Sequence, residues 1–174
     1  DTEPDWAPSS SGITFRSTRS GTYNIWVQYF LEITSLSDSP DPFSPNGDGT
    51  REEVEIKYSL SVDKVKIDVK IYDADDNPIR TLVAQEERSF GENTEIWNGS
   101  DARGETALDG VYTYKITGYS TTGDKVEREG SITLDTTPPV TTLNSSGEIY
   151  VDGTTNYADS GYTYSLTAQD NLSG

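Results

Sequence analysis

The chain contains no histidine, no cysteine and no methionine, and its 13 Lys+Arg stand against 30 Asp+Glu, a net charge of −17. Each shortage closes off a chemistry. Without cysteine there is no disulfide framework and no thiolate nucleophile. Without histidine, Ser-His-Asp hydrolysis, His-ligated zinc and most proton shuttling are excluded. The small number of Lys and Arg argues against nucleic acid as a partner, because phosphate neutralisation needs clustered cations. Long apolar runs are also missing. The longest mostly apolar stretch, Ile25–Leu31, has seven residues and includes Gln28, whereas a membrane-spanning helix needs roughly 20. The sequence starts at Asp1 with neither an initiator methionine nor a signal-peptide pattern and reads as a mature or excised piece of a longer chain. What remains is carboxylate chemistry, for which the natural cation is a hard one such as calcium.

Hydrophobic residues make up 32% of the chain and aromatic residues 10%, with 11 Tyr. That is too aromatic for a disordered acidic segment and fits β-rich modules with thin cores. Helical periodicity is almost absent. Val54, Ile56, Tyr58, Leu60 and Val62 alternate with polar residues, as do Val65, Ile67, Val69 and Ile71. Tyr112, Tyr114 and Ile116 form one face of a third strand, and Tyr162, Tyr164, Leu166 and Ala168 one face of a strand near the C-terminus. Period-two alternation marks strands with one face in a core and one in water. Strands joined by short turns without intervening helices point to an all-β, Ig-like antiparallel β-sandwich.

Two composition breaks divide the chain: Ser35–Asp48, with Pro40, Pro42 and Pro45, and Asp135-Thr136-Thr137-Pro138-Pro139. They suggest a β segment over 1–34, a sandwich over 35–136, and a second, incomplete Ig-like module over 137–174. After Arg128 no Lys or Arg occurs, while Glu129, Asp135, Glu148, Asp152, Asp159 and Asp170 follow.

In the first segment, Glu3-Pro4-Asp5-Trp6-Ala7-Pro8 is followed by Ile13-Thr14-Phe15, then Arg16-Ser17-Thr18-Arg19-Ser20-Gly21, then Tyr23-Asn24-Ile25-Trp26-Val27. This resembles the repeat of TolB-type β-propellers, with Ser10-Ser11 in place of the usual Asp-Gly turn. One such repeat is a blade or less and cannot bury both its faces alone. In the central block, Phe43-Ser44-Pro45-Asn46-Gly47-Asp48-Gly49 is followed by Ile96-Trp97-Asn98-Gly99-Ser100-Asp101, Gly104 and Asp109-Gly110-Val111-Tyr112-Thr113-Tyr114. That order resembles the Ig-like domain of flagellar hook-capping (FlgD-type) proteins and is similar to the C-terminal sorting and gliding-associated domains of secreted bacterial proteins. The resemblance spans roughly 37–134. It implies a sandwich in a secreted or cell-surface protein.

The loop at the head of this block places Ser44, Asn46, Asp48, Gly49, Thr50, Glu52 and Glu55 at positions 1, 3, 5, 6, 7, 9 and 12 of an EF-hand-like spacing. Ser44 stands where Asp is usual, and a strand follows instead of the helix that would return position 12. Glu52 is therefore a better ligand than Glu55. The expectation is a structural Ca²⁺ held by Asn46, Asp48, the Thr50 carbonyl and Glu52, with Glu53 as a further candidate. The alternative is a water-solvated Asn-Gly/Asp-Gly turn. Asp73-Ala74-Asp75-Asp76-Asn77-Pro78 reads as a hairpin turn in which Asp and Asn bond their own backbone. Trp97 reads as core, and Asp101 and Asp109 as turn residues.

The C-terminal segment opens Asp135-Thr136-Thr137-Pro138-Pro139 and carries Thr167-Ala168-Gln169-Asp170-Asn171-Leu172-Ser173-Gly174. It resembles bacterial Ig-like repeats of the D-T-T-P-P type, in which further strands follow the Asp-Asn turn. The missing strands would come from elsewhere, and open edges invite pairing with another chain. Asp135 and Asp170 are candidates for a second calcium. Asn98, Asn144 and Asn171 fit N-x-S/T, but the bacterial resemblance argues against glycosylation.

The expected function is a non-enzymatic structural or assembly module of a secreted or surface-exposed bacterial protein. It would be rigidified by calcium and would partner other modules of its chain or neighbouring copies, with a homo-oligomer or fibre built by strand addition as the specific variant. The alternative is a carbohydrate-binding or accessory module of an exported hydrolase, with surface glycans stacking on Tyr23, Trp26, Tyr29 or Tyr162. Catalysis by paired carboxylates needs a cleft that a narrow sandwich rarely supplies.

Overall fold

The computed structural model describes residues 5–6, 12–17, 24–121, 123–147, 149–153, 155–158 and 161–170. Among them there are strands, turns and bends but no helix. Among the described residues no helix is long and apolar enough to cross a membrane. The chain divides into two compact units, Asp1–Asp135 and Thr136–Gly174.

Strands β1 (Asp5–Trp6), β2 (Gly12–Ser17) and β3 (Asn24–Tyr29) make a three-stranded antiparallel meander in that order, with Phe15 opposite Trp26. Seven further strands build the sandwich. One sheet has the order β4-β5-β8, from β4 (Ile33–Ser39), β5 (Val54–Leu60) and β8 (Gly91–Trp97). The other has the order β10-β9-β6-β7, from β6 (Val65–Tyr72), β7 (Pro78–Arg88), β9 (Gly110–Tyr119) and β10 (Lys125–Leu134). Every neighbouring pair is antiparallel. A constant-type Ig sandwich also has seven strands split four and three. Here the fourth strand, β7, joins β6 in place of flanking β8.

The alternation read from the sequence becomes the core. Val54, Ile56, Tyr58 and Leu60 of β5 are buried while Glu55 is exposed, and Val65, Ile67, Val69 and Ile71 of β6 are buried against them from the other sheet. Tyr114 of β9 lies directly opposite Gly130 of β10, and a Cβ on Gly130 would overlap the Tyr114 ring and hydroxyl. The ring therefore occupies the space that a side chain at 130 would need.

The chain enters the sandwich on one sheet and crosses to the other. β4 pairs with β5 up to Ser39 opposite Glu55. Pro40 and Pro42, both preceded by cis peptide bonds, then offer no N–H for a ladder. Phe43 next pairs in parallel with Leu134 of the other sheet: its N–H donates to the Thr133 carbonyl at 3.0 Å, and its carbonyl accepts from Asp135 N–H at 3.0 Å. Asp41 adds a carboxylate oxygen that accepts from Thr133 N–H at 2.8 Å. At the opposite flank Arg88 of β7 reaches Glu95 of β8 through Nε at 2.9 Å and Nη2 at 3.2 Å, and Glu95 also accepts from the Tyr58 hydroxyl at 3.0 Å. Burial and the Glu95 charge push the Tyr58 phenol above its ordinary pKa.

In the second unit, β11 (Val140–Ser146) pairs antiparallel with β14 (Thr163–Gln169), and β12 (Ile149–Asp152) with β13 (Thr155–Ala158). Leu143 lies opposite Leu166 and Ser145 opposite Tyr164, so one face of the β11–β14 ribbon is apolar. That face is open: Leu143 is 60% exposed, Tyr164 65% and Leu166 71%.

Candidate functional site

The loop between β4 and β5 gathers Asn46, Asp48 and Glu52 by a network of its own backbone. Glu52 accepts from Gly47 N–H through one carboxylate oxygen at 3.0 Å and from Gly49 N–H through the other at 2.8 Å. The Asn46 side-chain oxygen accepts from Asp48 N–H at 2.9 Å, and the Asp48 carboxylate accepts from Thr50 N–H at 2.7 Å. These are Asx turns, the local bonds for which Asn and Asp are suited. Gly47 (φ 84) and Gly49 (φ 86) supply the left-handed backbone that the tight path requires. Ser44 N–H donates to the Arg51 carbonyl at 2.7 Å and closes the neck.

Three of the residues expected to bind calcium thus lie in one loop, and the fourth, Thr50, lends it an N–H. Glu53 is exposed just before β5. The donors are hard oxygens, as calcium prefers, but only two are carboxylates (Asp48 and Glu52), and Glu52 uses both oxygens on N–H groups. Among the described residues no three Asp, Glu, His or Cys side chains are grouped to hold a metal ion. Asp135 is buried at the end of the first unit, and Asp170 is half-buried in the second.

Behind the loop the motif residues form one packed cluster. The Trp97 ring is fully buried between Phe43 (centroids 5.2 Å apart, planes at 56°) and Tyr112 (5.2 Å, 71°), in the tilted arrangements that aromatic quadrupoles favour. The indole N–H donates to the Ser100 carbonyl at 3.0 Å. Gly99 (φ 74) sits where a Cβ would come within 2.6 Å of Pro45 Cγ and 3.1 Å of Leu134 Cδ1. The absence of a side chain at 99 therefore lets the acidic loop lie against the sandwich. Trp-Asn-Gly and Phe-Ser-Pro, far apart in sequence, are two halves of one joint.

Asp101 orders the turn that follows. Its carboxylate accepts from Arg103 N–H at 2.8 Å, Glu105 N–H at 3.0 Å and Arg103 Nε at 3.1 Å. Desolvation opposes ionisation, but these donors outweigh it and hold the Asp101 carboxyl below its ordinary pKa. Asp73 caps the β6–β7 turn, accepting from Asp75 N–H at 3.0 Å and Asn77 N–H at 2.8 Å. Those bonds, led by Asn77's, lower its pKa too. The 73–77 segment is thus a self-bonded hairpin turn.

Pattern reading missed the tyrosine corner. Tyr112, near the start of β9, donates its hydroxyl to the Leu108 carbonyl at 2.6 Å, as in the Ig-fold tyrosine corner. The Asp-Gly-x-Tyr spacing before β9 was the available signal. Tyr114 donates to Asp38 at 2.8 Å, and burial raises the Asp38 pKa, with the nearby Asp41 charge adding to it.

A central Trp in the core, a tyrosine corner, and a seven-stranded sandwich whose loops interlock by motif together specify a kind of Ig-like domain. Residues 43–123 match the family model of the FlgD Ig-like domain. No curated protein matches the chain significantly. The matched span of the FlgD Ig-like domain runs from Phe43 through β5–β9 to Gly123 and holds Trp97, Gly99 and Tyr112. The likenesses of the two flanks to propeller and D-T-T-P-P repeats rest on the sequence motifs alone. Of the aromatic candidates for glycan stacking, Tyr23 and the side chains of Trp26 and Tyr29 lie outside the described residues, as does Asn171. Tyr162 packs edge-on against Tyr164, with ring centroids 4.8 Å apart.

Proposed function

We propose that the chain is a non-enzymatic structural and assembly module of a secreted or cell-surface bacterial protein. The observation that carries this reading is the match of 43–123 to the FlgD Ig-like domain, together with the use made of its motif residues. Phe43, Trp97, Gly99 and Tyr112 are spent on packing and Asp73 and Asp101 on turns, the use that a structural module makes of such residues. Incubating the purified chain with glycoside substrates and a glycan array tests this. Silence in both is expected, and saturable glycan binding would overturn it. One observation favours that rival, a carbohydrate-binding role: Tyr164 is exposed and its ring is braced by Tyr162. Loss of an array signal in Tyr164→Ala would establish it.

Calcium at the 44–52 loop belongs to the same proposal, as a stiffener of a turn already closed by its own hydrogen bonds. The support is the convergence of Asn46, Asp48 and Glu52 oxygens on one tight loop. Two carboxylates suit the weak range of extracellular modules, about 10⁻⁴–10⁻³ M. At tenfold excess over Kd the stabilisation is about 1.4 kcal/mol, or about 3–6 °C in Tm for a chain of this size. Calorimetry should show that rise with calcium, and not with magnesium or a chelator, in the wild type and no rise in Asp48→Ala. Equal melting under all conditions would remove calcium from the function.

A further inference from the structure

Of the four edge strands of the sandwich, three are interrupted or engaged. β4 carries a register shift between Ile33 and Ser35. β7 shifts register beside Val69 and Ile71 and holds Gln85 at φ 54. β8 is met by Arg88 of β7 through Glu95. β10 also has a neighbour across the sandwich, the start of β4, but it pairs with β9 over Lys125–Leu134 without a shift and ends its sheet. The chain shows that this edge accepts a strand, because Phe43 pairs there in parallel beside Leu134. Pro40 and Pro42 prevent the same segment from following the edge further back. The stretch around Val126 is therefore left without a paired strand on that side among the described residues. Beside it opens a groove of about 570 Å³ lined by Glu32, Ile33, Thr34, Val126, Glu127 and Arg128.

The sequence of this stretch is a charge palindrome: Asp124-Lys125-Val126-Glu127-Arg128. Laid antiparallel to itself about Val126, it sets Asp124 opposite Arg128 and Lys125 opposite Glu127, twice each, with Val126 opposite Val126 and no like charges opposed. Directly opposed residues on antiparallel strands share a face and interact, favourably when their charges differ. Lys125, Glu127 and Arg128 are exposed and Val126 half-buried. Within the chain Lys125 meets Glu127 at 3.4 Å, Glu127 accepts from the Thr117 hydroxyl at 3.1 Å, and Asp124, in the turn just before β10, accepts from the Ser120 hydroxyl at 3.1 Å, so pairing exchanges exposed contacts of one strand for contacts across the axis. Charges on an edge ordinarily block indiscriminate pairing; an alternation that complements its own reverse disfavours strands of other charge order and admits a second copy.

We propose that the β10 edge is a homotypic docking site at which two copies of this chain pair antiparallel about Val126, joining their four-stranded sheets across a two-fold axis. This rests on the assembly reading and names its partner surface. Five residues a side give a weak, concentration-dependent contact, suited to copies already held close by a larger assembly.

Sedimentation equilibrium of the full chain tests it. The weight-average mass should rise from 19.1 kDa towards twice that value with concentration. Lys125→Glu and, independently, Arg128→Glu should weaken association at least tenfold with an unchanged melting temperature. Lys125→Glu combined with Glu127→Lys in one chain restores the complementarity and should regain association. A wild type that stays at single-chain mass, association indifferent to both single substitutions, or a folded double variant that stays single would each overturn the proposal. Failure here beside a silent glycan array leaves the structural reading standing with another surface. Glycan binding overturns that reading whatever the masses show.

Discussion

Strands β5 and β14 carry the same alternation and end in opposite conditions. Val54, Ile56, Tyr58 and Leu60 are buried, whereas Tyr164 and Leu166 are largely exposed. The local pattern sets which residues share a face; burial depends on whether a second layer exists to cover it. β5 faces β6 and β9 of the opposite sheet. Within its own unit, β14 belongs to a two-stranded ribbon, and isolated two-stranded ribbons are at best marginally stable. Equal hydrophobicity therefore contributes unequally to stability, because the transfer free energy is gained only on removal from water.

Substitutions in the two regions turn that contrast into measurable quantities. The largest effect is expected from Trp97→Ala, which empties the space between Phe43 and Tyr112 and should cost about 3–5 kcal/mol in urea unfolding. A loss below about 1 kcal/mol would mean that the sandwich core is as loose as the ribbon. Gly99→Ala comes next. Its methyl must displace Pro45 at a left-handed backbone position, for a loss of about 1–3 kcal/mol by the same assay.

How much of this was legible follows the same division between local and distant. The buried faces of β5, β6 and β9, the core position of Trp97 and the self-bonded 73–77 turn could be read from neighbours in the chain. The Phe43–Leu134 bridge, the Arg88–Glu95 clasp and the Tyr112–Leu108 bond could not. Each depends on which strand lies beside which, and alternation does not specify a partner. In the acidic loop the residue types and spacing were legible, but not that Glu52 would turn both oxygens onto the Gly47 and Gly49 amides. An Asp-Gly-rich stretch satisfies a ligand spacing and a turn spacing with the same residues.

Two smaller effects complete the series. Asp73 has a folded pKa below its ordinary 3.8 because Asn77 and Asp75 donate to the ionised form. The stability it contributes is present above that ordinary value and is lost as pH falls through the lower, folded one. The Tm gap between wild type and Asp73→Ala should therefore be open at neutral pH and narrow progressively below about pH 4. A gap constant with pH would make the turn's stability independent of the carboxylate charge. Smallest of all, Leu166→Ala should change the unfolding free energy of the sandwich by no more than about 0.5 kcal/mol. A larger loss would show that the apolar ribbon face is covered in solution.

The crossing of the chain from β4 to Phe43 also has a mechanical consequence. Phe43 and β10 run in the same direction, so tension entering before Phe43 and leaving after Asp135 pulls the two segments past each other lengthwise. The Phe43 N–H, the Phe43 carbonyl and the Asp41 carboxylate bind the Thr133–Asp135 backbone crosswise to that pull. They would have to give way together and not one after another, which makes the two ends of the sandwich a shear joint.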